Sequence, residues 1–366
     1  APARKIAVLG AGVAGASAAH ALTERGAAVT VFDPVGPASG ASGNPLALLM
    51  PRLDAGDTVQ ARLLIDAYLA ARRTYAGMIG AHETSVRQMP RDEAERTRFA
   101  KLLADPPLPL EDLEAISGGG LLHKRALILE PARIIADLLE SVPAQIGPVD
   151  VSLEARMVNG EAFDAIVLAT AMETNRQLDW INLEGRLGQV DSVTGAAPVE
   201  ADAIASGHYA LALGGQRLWG ATFEKIADGV PPQTSDAARE TNAEALRELS
   251  PWWRRDATAF PVSSRAAIRA TTADRLPLIG AVPDHDAALE TFAGLRKGRP
   301  ADADAPVLAG IFMVNGFGAR GFTWGPWAGR LLAAQCLGGP SPAEVPALEA
   351  VSPLRLILRG LKRGDI

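Results

Sequence analysis

The chain has little of the chemistry that metals and disulfides require. Its single cysteine, Cys336, excludes an internal disulfide and a cysteine-based zinc site. Its five histidines are scattered without the spacing of metal ligands. We therefore expect no metal site and a reducing, cytoplasmic environment. Cys336 lies in the apolar run 331–337, which predicts a buried helical position rather than a reactive thiol.

The chain also lacks long hydrophobic runs and an excess of positive charge. No apolar stretch approaches the roughly 20 residues of a membrane-spanning helix, so we expect no membrane association. The 36 basic and 42 acidic residues give a net charge of −6, which argues against broad, non-specific nucleic-acid binding but not against a local basic patch. With 366 residues and 48% hydrophobic content, the chain can bury a large core, in two interwoven domains or one large α/β unit.

The spacing of apolar residues predicts alternating strands and helices. A strand at 5–9, an alanine-rich helix at 13–24 and a strand at 29–32 form a β-α-β unit. Residues 81–113 are polar and dotted with proline, and they predict a solvent-facing insertion. The other predicted elements are helices at 62–79, 131–139 and 327–337, strands at 165–169 and 308–314, and antiparallel strands within 185–224.

A glycine-rich turn lies between the first predicted strand and helix. In this segment, GAGVAG, Gly10 permits a tight turn, Gly12 lets the backbone approach a pyrophosphate, and Gly15 allows close packing of helix on strand. The helix N-terminus offers N–H groups and partial positive charge to phosphates. Asp33 ends the second strand, where an acid can hold two ribose hydroxyls. These features predict a dinucleotide site, with a purely structural turn as the alternative, and they do not separate NAD from FAD.

A second glycine-rich turn, in residues 311–321 (IFMVNGFGARG), favours FAD. It leads from a predicted strand into a helix through Gly316, Gly318 and Gly321. A helix N-terminus can face the pyrimidine edge of a flavin, where reduction places negative charge. Arg320 could add a fixed positive charge there. The alternative is a structural turn that carries a surface arginine.

Four further segments resemble one family of flavoenzymes. Together with the two turns, they are similar to the D-amino-acid-oxidase-like family, which includes glycine and sarcosine oxidases. Within it, the likeness is to the FAD-dependent domain of the bifunctional tRNA 5-methylaminomethyl-2-thiouridine biosynthesis enzymes, and it runs through nearly the whole chain. The segments are 40–44 (GASGN), 185–190 (GRLGQV), 265–280 (RAAIRATTADRLPLIG) and 352–362 (SPLRLILRGLK).

The resemblance implies an α/β fold, with a Rossmann-like FAD-binding domain and an inserted antiparallel-sheet substrate domain. It implies FAD as the cofactor. No second glycine-rich nucleotide motif occurs in the sequence, so we expect the methyltransferase half of the bifunctional enzymes to be absent, which leaves open a separate methyltransferase as a partner. The predicted ranges are 1–80, 130–175 and 262–340 for the FAD-binding domain, 81–129 and 176–261 for the substrate domain and insertion, and 341–366 for a basic tail.

The resemblance further implies oxidation of an N-substituted glycine at its CH–NH bond. In the tRNA enzymes this group is the carboxymethylaminomethyl group of the wobble uridine, so the anticodon arm of tRNA is the expected partner. Water would then split the resulting imine into an aminomethyl group and glyoxylate. Two rivals stay open: an oxidase of small amino acids that produces hydrogen peroxide, and a flavin-binding subunit without turnover.

A substrate carboxylate needs a fixed cation, and a planar guanidinium binds it through two parallel hydrogen bonds. The resemblance assigns this role first to Arg269 and second to Arg320. An interdomain salt bridge is the alternative for Arg269. Candidate contacts to the flavin or its phosphates, in what could equally be a structural loop, are Gly40, Ser42, Gly43 and Asn44.

The predicted tail carries a basic stripe. Arg355, Arg359, Lys362 and Arg363 follow a spacing of i, i+4, i+7 and i+8, which places them on one face of a helix. Such a stripe is usually a solvated face. The family likeness favours contact with tRNA phosphates instead.

Overall fold

The computed structural model describes residues 4–197, 202–249, 260–299 and 303–365. The chain forms two compact units. Unit 1 comprises Ala1–Ser39, Ile135–Glu184 and Ala270–Ile366, and unit 2 comprises Gly40–Ile134 and Gly185–Arg269. Parts of the predicted substrate domain, at 198–201 and 250–259, lie outside the described residues.

Strands and helices follow one another along the described chain. The strands are β1 Lys5–Leu9, β2 Ala28–Asp33, β3 Ala47–Leu49, β4 Ala81–Gln88, β5 Leu113–Ile116, β6 Gly120–Leu129, β7 Ala144–Ile146, β8 Val151–Ser152, β9 Met157–Val158, β10 Glu161–Ala162, β11 Ala165–Leu168, β12 Glu184–Val193, β13 Ala203–Ser206, β14 His208–Leu213, β15 Gln216–Gly220, β16 Glu224–Ile226, β17 Ser263–Thr271, β18 Leu278–Pro283 and β19 Val307–Asn315. The helices are α1 Val13–Glu24, α2 Val59–Tyr75, α3 Glu93–Ala104, α4 Pro131–Leu138, α5 Thr174–Gln177, α6 Asp236–Leu249, α7 His285–Thr291, α8 Gly321–Leu337, α9 Val345–Val351 and α10 Leu354–Arg363.

Unit 1 contains a six-stranded sheet in the order β18-β19-β11-β1-β2-β7. Strands β19, β11, β1, β2 and β7 run parallel, and β18 is antiparallel to β19. The strands at its centre are buried on both faces, as parallel strands covered by helices are. The predicted β-α-β unit is confirmed, and α1 has the predicted bounds. The three small strands β8, β9 and β10 form a separate sheet.

Unit 2 contains a ten-stranded sheet, largely antiparallel, in the order β16-β12-β15-β14-β13-β4-β6-β3, with β17 paired to β12 and β5 to β6. Its apolar core includes Leu46, Val86, Val190, Leu211 and Leu218. The predicted solvent-facing insertion at 81–113 was wrong for residues 81–88, because β4 lies between β13 and β6 in this sheet. Val86 is the fully buried residue of β4. Because the residues around it are mostly polar, the sequence did not indicate a strand.

The unit boundaries differ from the predicted domain ranges by fewer than ten residues at 130–134, 176–184 and 262–269, and by more at 40–80 and 341–366. Residues 40–80, predicted to lie in the FAD-binding domain, belong to unit 2, because β3 pairs with β6. Residues 341–366 are no separate tail but part of unit 1. The reason is apolar packing: Ile357 and Leu361 of α10 join a buried cluster with Ala288 and Phe292. Helix burial of this kind contributes about 1.5–3 kcal/mol for each large side chain.

Candidate functional site

The turn at Gly10 has no room for a side chain. Gly10 has φ +101°, and a Cβ there would lie 2.5 Å from the carbonyl oxygen of Ala169. Its backbone N–H donates to Phe32 O at 2.7 Å, which fixes the end of β1 against β2. Only glycine fits this conformation without strain. The tight turn predicted from the sequence is therefore present.

Helix α1 begins close against that turn. A Cβ at Gly15 would overlap the carbonyl oxygen of Gly10, so the glycine permits the close approach. Gly12 is the N-cap of α1 in an extended conformation, and it has no side chain that could occupy the N–H groups of the first turn. Those N–H groups and the positive end of the helix suit an anion such as a pyrophosphate.

Asp33 is buried and tied to the same turn. Its carboxylate accepts hydrogen bonds from the backbone N–H groups of Ala11 at 2.8 Å, Val35 at 2.9 Å and Gly36 at 2.8 Å. Asp33 thus anchors the β1–α1 turn to the end of β2, a role that the sequence pattern did not reveal. Its predicted contact with a ribose stays a prediction.

The second glycine turn connects β19 to α8. Gly316 and Gly318 have φ values of +74° and +56°, and Gly321 begins α8 with Arg320 as its N-cap. Asn315 holds the turn: its amide donates to Thr174 Oγ1 at 2.6 Å and its oxygen accepts from Gly316 N at 2.7 Å. Sequence reasoning missed Asn315, although its place between a strand and a glycine turn was a usable signal.

Glycines spaced four residues apart on α8 allow this helix to pack closely against α1. A Cβ at Gly321 would lie 2.8 Å from Val13 Cγ1, one at Gly325 would lie 2.5 Å from Ser17 Oγ, and one at Gly329 would overlap the Ser17 carbonyl. Because these contacts advance along both helices in the same direction, α1 and α8 run parallel. Their positive N-terminal ends therefore lie at the same edge of the sheet. Two helix ends beside two side-chain-free turns fit the phosphates of a dinucleotide.

Unit 2 holds the predicted carboxylate-binding residue, Arg269, on β17. Its Nη1 donates to the carbonyl oxygen of Thr222 at 3.2 Å. Burial lowers the pKa of the Arg269 guanidinium, and the charge of ionised Tyr209 acts in the opposite direction. No salt bridge of Arg269 to a carboxylate is found among the residues that the structure describes. A desolvated guanidinium in this state favours an anionic ligand.

Gly188 makes room for that guanidinium. A Cβ at Gly188 would overlap Nη1 of Arg269. The backbone of Gly188 does not require a positive φ, so its glycine serves the neighbouring side chain rather than a turn. Gly188 lies in segment 185–190, which resembles the flavoenzyme family, but the sequence alone did not indicate that this glycine makes room for Arg269.

A buried polar network holds Thr222, the acceptor for Arg269. Thr222 Oγ1 accepts from Gln189 N at 2.9 Å, and Gln189 Nε2 donates to Asp191 Oδ1 at 3.2 Å. Asp191 also accepts from Asn242 Nδ2 at 2.8 Å and from Ser264 Oγ at 2.5 Å. Buried polar groups that are satisfied in this way rigidify their surroundings. The network therefore fixes the carbonyl that orients Arg269.

The predicted segment 40–44 also lies in unit 2, where Arg265 holds it. Arg265 Nη1 donates to Asn44 Oδ1 at 2.9 Å and Nη2 to Gly40 O at 2.5 Å. Nothing in the described chain lies within 4 Å of a Cβ placed at Gly40, so that glycine is not needed for a protein contact. Ser42 and Gly43 are partly buried. Contact of this segment with a flavin stays a prediction.

The predicted site residues thus divide between the units. The first turn, Asp33, the second turn and Arg320 belong to unit 1, and the carboxylate and loop candidates belong to unit 2. The members in unit 1 are Gly10, Gly12, Gly15, Asp33, Gly316, Gly318, Arg320 and Gly321, and those in unit 2 are Gly40, Ser42, Gly43, Asn44 and Arg269.

The basic stripe of the tail is not a uniform solvated face. Arg355 is 5% exposed and forms a two-pronged pair with Asp274 at 2.9 and 3.0 Å. It also donates to Leu276 O at 2.7 Å and to Pro277 O at 2.9 Å. Arg359 pairs with Asp274 as well. The predicted phosphate contact is therefore wrong for Arg355, since its donors are used inside unit 1.

The remaining expectations concern Cys336, metal binding and membrane-spanning helices. Cys336 is buried in α8, as predicted, and burial raises the pKa of its thiol to about 11, which makes it a poor nucleophile. Within the described ranges, no set of three or more His, Cys, Asp and Glu side chains could hold a metal ion. No helix in the same ranges is long and apolar enough to cross a membrane.

Fold and turns together define a dinucleotide-binding protein with a parallel sheet. The family of FAD-dependent oxidoreductases matches residues 5–335, and the chain belongs to it. A relative in Maricaulis maris (strain MCS10), the tRNA 5-methylaminomethyl-2-thiouridine biosynthesis bifunctional protein MnmC, is 34% identical over 98% of the chain. The chain spans 56% of the length of that relative.

Solved structures with lower sequence identity confirm the fold. Iminodiacetate oxidase (IdaA) from Chelativorans sp. BNC1 superposes with a TM-score of 0.74 at 20% identity, over 95% of this chain and 98% of that one. Glycine oxidase from Geobacillus kaustophilus gives a TM-score of 0.71 at 18% identity, over 96% and 99%. The predicted α/β fold is thereby confirmed, and the family match over residues 5–335 confirms the predicted flavin enzyme family.

Proposed function

We propose that the protein oxidatively removes the carboxymethyl group from 5-carboxymethylaminomethyl(-2-thio)uridine at the wobble position of tRNA. The products are aminomethyluridine and glyoxylate. The support is membership of the FAD-dependent oxidoreductase family, together with a relative whose name states a role in tRNA thiouridine biosynthesis. The structural observation that carries the proposal is Arg269, a desolvated guanidinium that lacks a carboxylate partner in the described chain.

Arg269 binds and orients the substrate carboxylate. The Thr222 carbonyl fixes one of its donors, and the planar guanidinium offers two parallel donors to a carboxylate. When bound, FAD supplies the two-electron acceptor for oxidation of the substrate C–N bond. The helix ends and glycine turns of unit 1 hold the cofactor's phosphates. The oxidised substrate is an imine, and water adds to it and releases glyoxylate.

The decisive experiment uses the purified protein and tRNA that carries the carboxymethylaminomethyl group. We expect bleaching of the flavin, appearance of the aminomethyl nucleoside in digested tRNA, and an equimolar amount of glyoxylate. In cells that lack the protein, the carboxymethylaminomethyl nucleoside should accumulate. Flavin that stays oxidised with every such tRNA would overturn the proposal.

The alternative function is oxidation of a small N-substituted glycine or amino acid with release of hydrogen peroxide. It is favoured by the fold shared with iminodiacetate oxidase and glycine oxidase. Substrate size separates the two functions: rapid turnover of free iminodiacetate or glycine, with no reaction on modified tRNA, would select the small-molecule oxidase. A protein that binds FAD but turns over neither substrate would be a binding subunit.

Cofactor attachment is part of the proposal. We infer that FAD is bound non-covalently, because the one cysteine is buried in α8. Acid precipitation should release yellow flavin into the supernatant, whereas colour that stays in the pellet would contradict this. A tRNA substrate also implies a cytoplasmic location.

A further inference from the structure

Phe223 is an exposed aromatic side chain beside the candidate carboxylate site. It is 51% exposed and follows Thr222, whose carbonyl accepts a hydrogen bond from Arg269. The Arg269 guanidinium carbon lies 5.8 Å from the centroid of its ring, and that of Arg186 lies 5.7 Å away. An aromatic side chain this exposed has a face that a flat ligand can contact.

Strands on both sides anchor the backbone at Phe223. Phe223 lies between β15 and β16, and both strands pair with β12, at Val190↔Gly220 and Leu187↔Glu224. Because its backbone is anchored between two strands, Phe223 loses little conformational entropy when a ligand binds. Aromatic side chains stack on the flat faces of nucleic-acid bases.

The spacing between ring and guanidinium matches the proposed substrate. Four bonds separate the carboxylate carbon of a carboxymethylaminomethyl group from the ring carbon of uracil. With bonds of about 1.5 Å, this chain reaches about 5 Å when extended. A carboxylate on Arg269 would therefore leave the uracil ring within reach of Phe223, which is 5.8 Å from the same guanidinium.

We propose that Phe223 stacks on the uracil ring of the wobble nucleotide and thereby selects a nucleoside-bearing N-substituted glycine over a small one. This inference rests on the proposed function. It separates two tasks in unit 2: Arg269 binds the carboxylate that all candidate substrates share, and Phe223 binds the base that only the tRNA substrate has.

The test compares two substrates in one variant. For Phe223→Ala, we expect kcat/KM for the modified anticodon stem-loop to fall about 5- to 150-fold, as stacking of one base is worth about 1–3 kcal/mol. The ratio of that kcat/KM to the one for iminodiacetate should fall with it. Phe223→Tyr should restore the ratio, because tyrosine keeps the aromatic face. The FAD content of each variant, measured by absorbance after acid release, checks that the fold is intact.

Val230→Ala is the matched control, since Val230 is 46% exposed and apolar but carries no aromatic ring. It should leave both substrates unaffected. A Phe223→Ala variant that is active on the stem-loop with an unchanged ratio overturns the stacking role alone. If the parent protein with normal FAD content does not oxidise the stem-loop, the proposed function fails and the stacking role fails with it. If iminodiacetate is not turned over, the affinity of each variant for the stem-loop, measured by flavin absorbance changes, replaces the ratio. Weaker binding to Phe223→Ala that Phe223→Tyr restores supports the stacking role, and unchanged binding to Phe223→Ala overturns it.

Discussion

Arg355 in α10 and Arg269 on β17 carry the same guanidinium in two different settings. Arg355 is buried and donates to the carboxylate of Asp274 and to backbone carbonyls of the loop before β18. Arg269 is only partly buried, and its described hydrogen bond goes to a single carbonyl, that of Thr222. Burying a charge costs free energy unless a partner offsets it. The protein supplies that partner to Arg355, and an incoming carboxylate would supply it to Arg269.

This comparison separates structural from functional arginines by their partners rather than by their positions. Burial alone would raise the pKa of Asp274, but the hydrogen bonds and charge of Arg355 hold that pKa far below its usual range. The pair is therefore ionised whenever the protein is folded near neutral pH. Arg355 fastens helix α10 within unit 1, whereas the role that we propose for Arg269 is to bind a ligand.

The largest expected effect comes from breaking the paired arginine. Asp274→Asn keeps the shape of the side chain but leaves Arg355 as a buried, uncompensated cation. We expect a loss of about 3–5 kcal/mol in the free energy of unfolding, measured with urea. The control is Arg359→Ala, whose side chain is 43% exposed, and it should cost at most about 1 kcal/mol. Equal effects of the two variants would mean that the pair does not carry the stability of the helix.

The same pair gives stability a defined pH dependence. Because the folded-state pKa of Asp274 lies below its unfolded value of about 3.9, its contribution is complete above that value and is lost as the pH falls towards the folded pKa. The difference in unfolding free energy between the parent and Asp274→Asn should therefore shrink between about pH 5 and pH 2. A difference that is constant over this range would show that Asp274 is not the ionised partner.

The two arginines also show what sequence can and cannot predict. Both glycine turns and α1 were predicted correctly, because each rests on local spacing within a few residues. The pairing of Arg355 with Asp274 joins residues 81 positions apart, and a helical charge stripe contains no record of such a partner. The role of Gly188 was not predicted for the same reason, because this glycine makes room for the side chain of Arg269 on another strand. The sequence therefore predicted the features that depend on neighbouring residues, whereas the contacts between distant residues required the structure.

Removing Arg269, the proposed ligand-binding arginine, should affect catalysis and leave stability largely intact. For Arg269→Ala, we expect a loss of about 2–5 kcal/mol in transition-state binding, measured as kcat/KM for any N-substituted glycine that is accepted. FAD content should stay normal. Arg269→Lys should recover only part of the loss, because an ammonium cannot form the two parallel hydrogen bonds. Flavin reduction as fast as in the parent would remove Arg269 from the carboxylate site.

Displacing the same guanidinium, without deleting it, should have a smaller effect. In Gly188→Ala the new methyl group would overlap Nη1 of Arg269 and push the flexible guanidinium aside. Misplacement by about 1 Å predicts a fall of about 10- to 100-fold in kcat/KM. In the double variant with Arg269→Ala, Gly188→Ala should add nothing, since the group that it displaces is gone. Additive losses would show that Gly188 acts on something other than Arg269.

The smallest effect is expected at the exposed end of α10. Lys362 and Arg363 are exposed, and neither forms an ion pair within the described chain, so they are the part of the basic stripe still available to tRNA phosphates. Lys362→Ala combined with Arg363→Ala should change the free energy of unfolding by no more than about 0.5 kcal/mol. If both side chains touch phosphate, the slope of log affinity for tRNA against log salt should flatten by about 0.7–0.9 for each. An unchanged slope would exclude the tail from the tRNA-binding surface, and a parent protein without measurable tRNA affinity at low salt would favour the small-molecule oxidase.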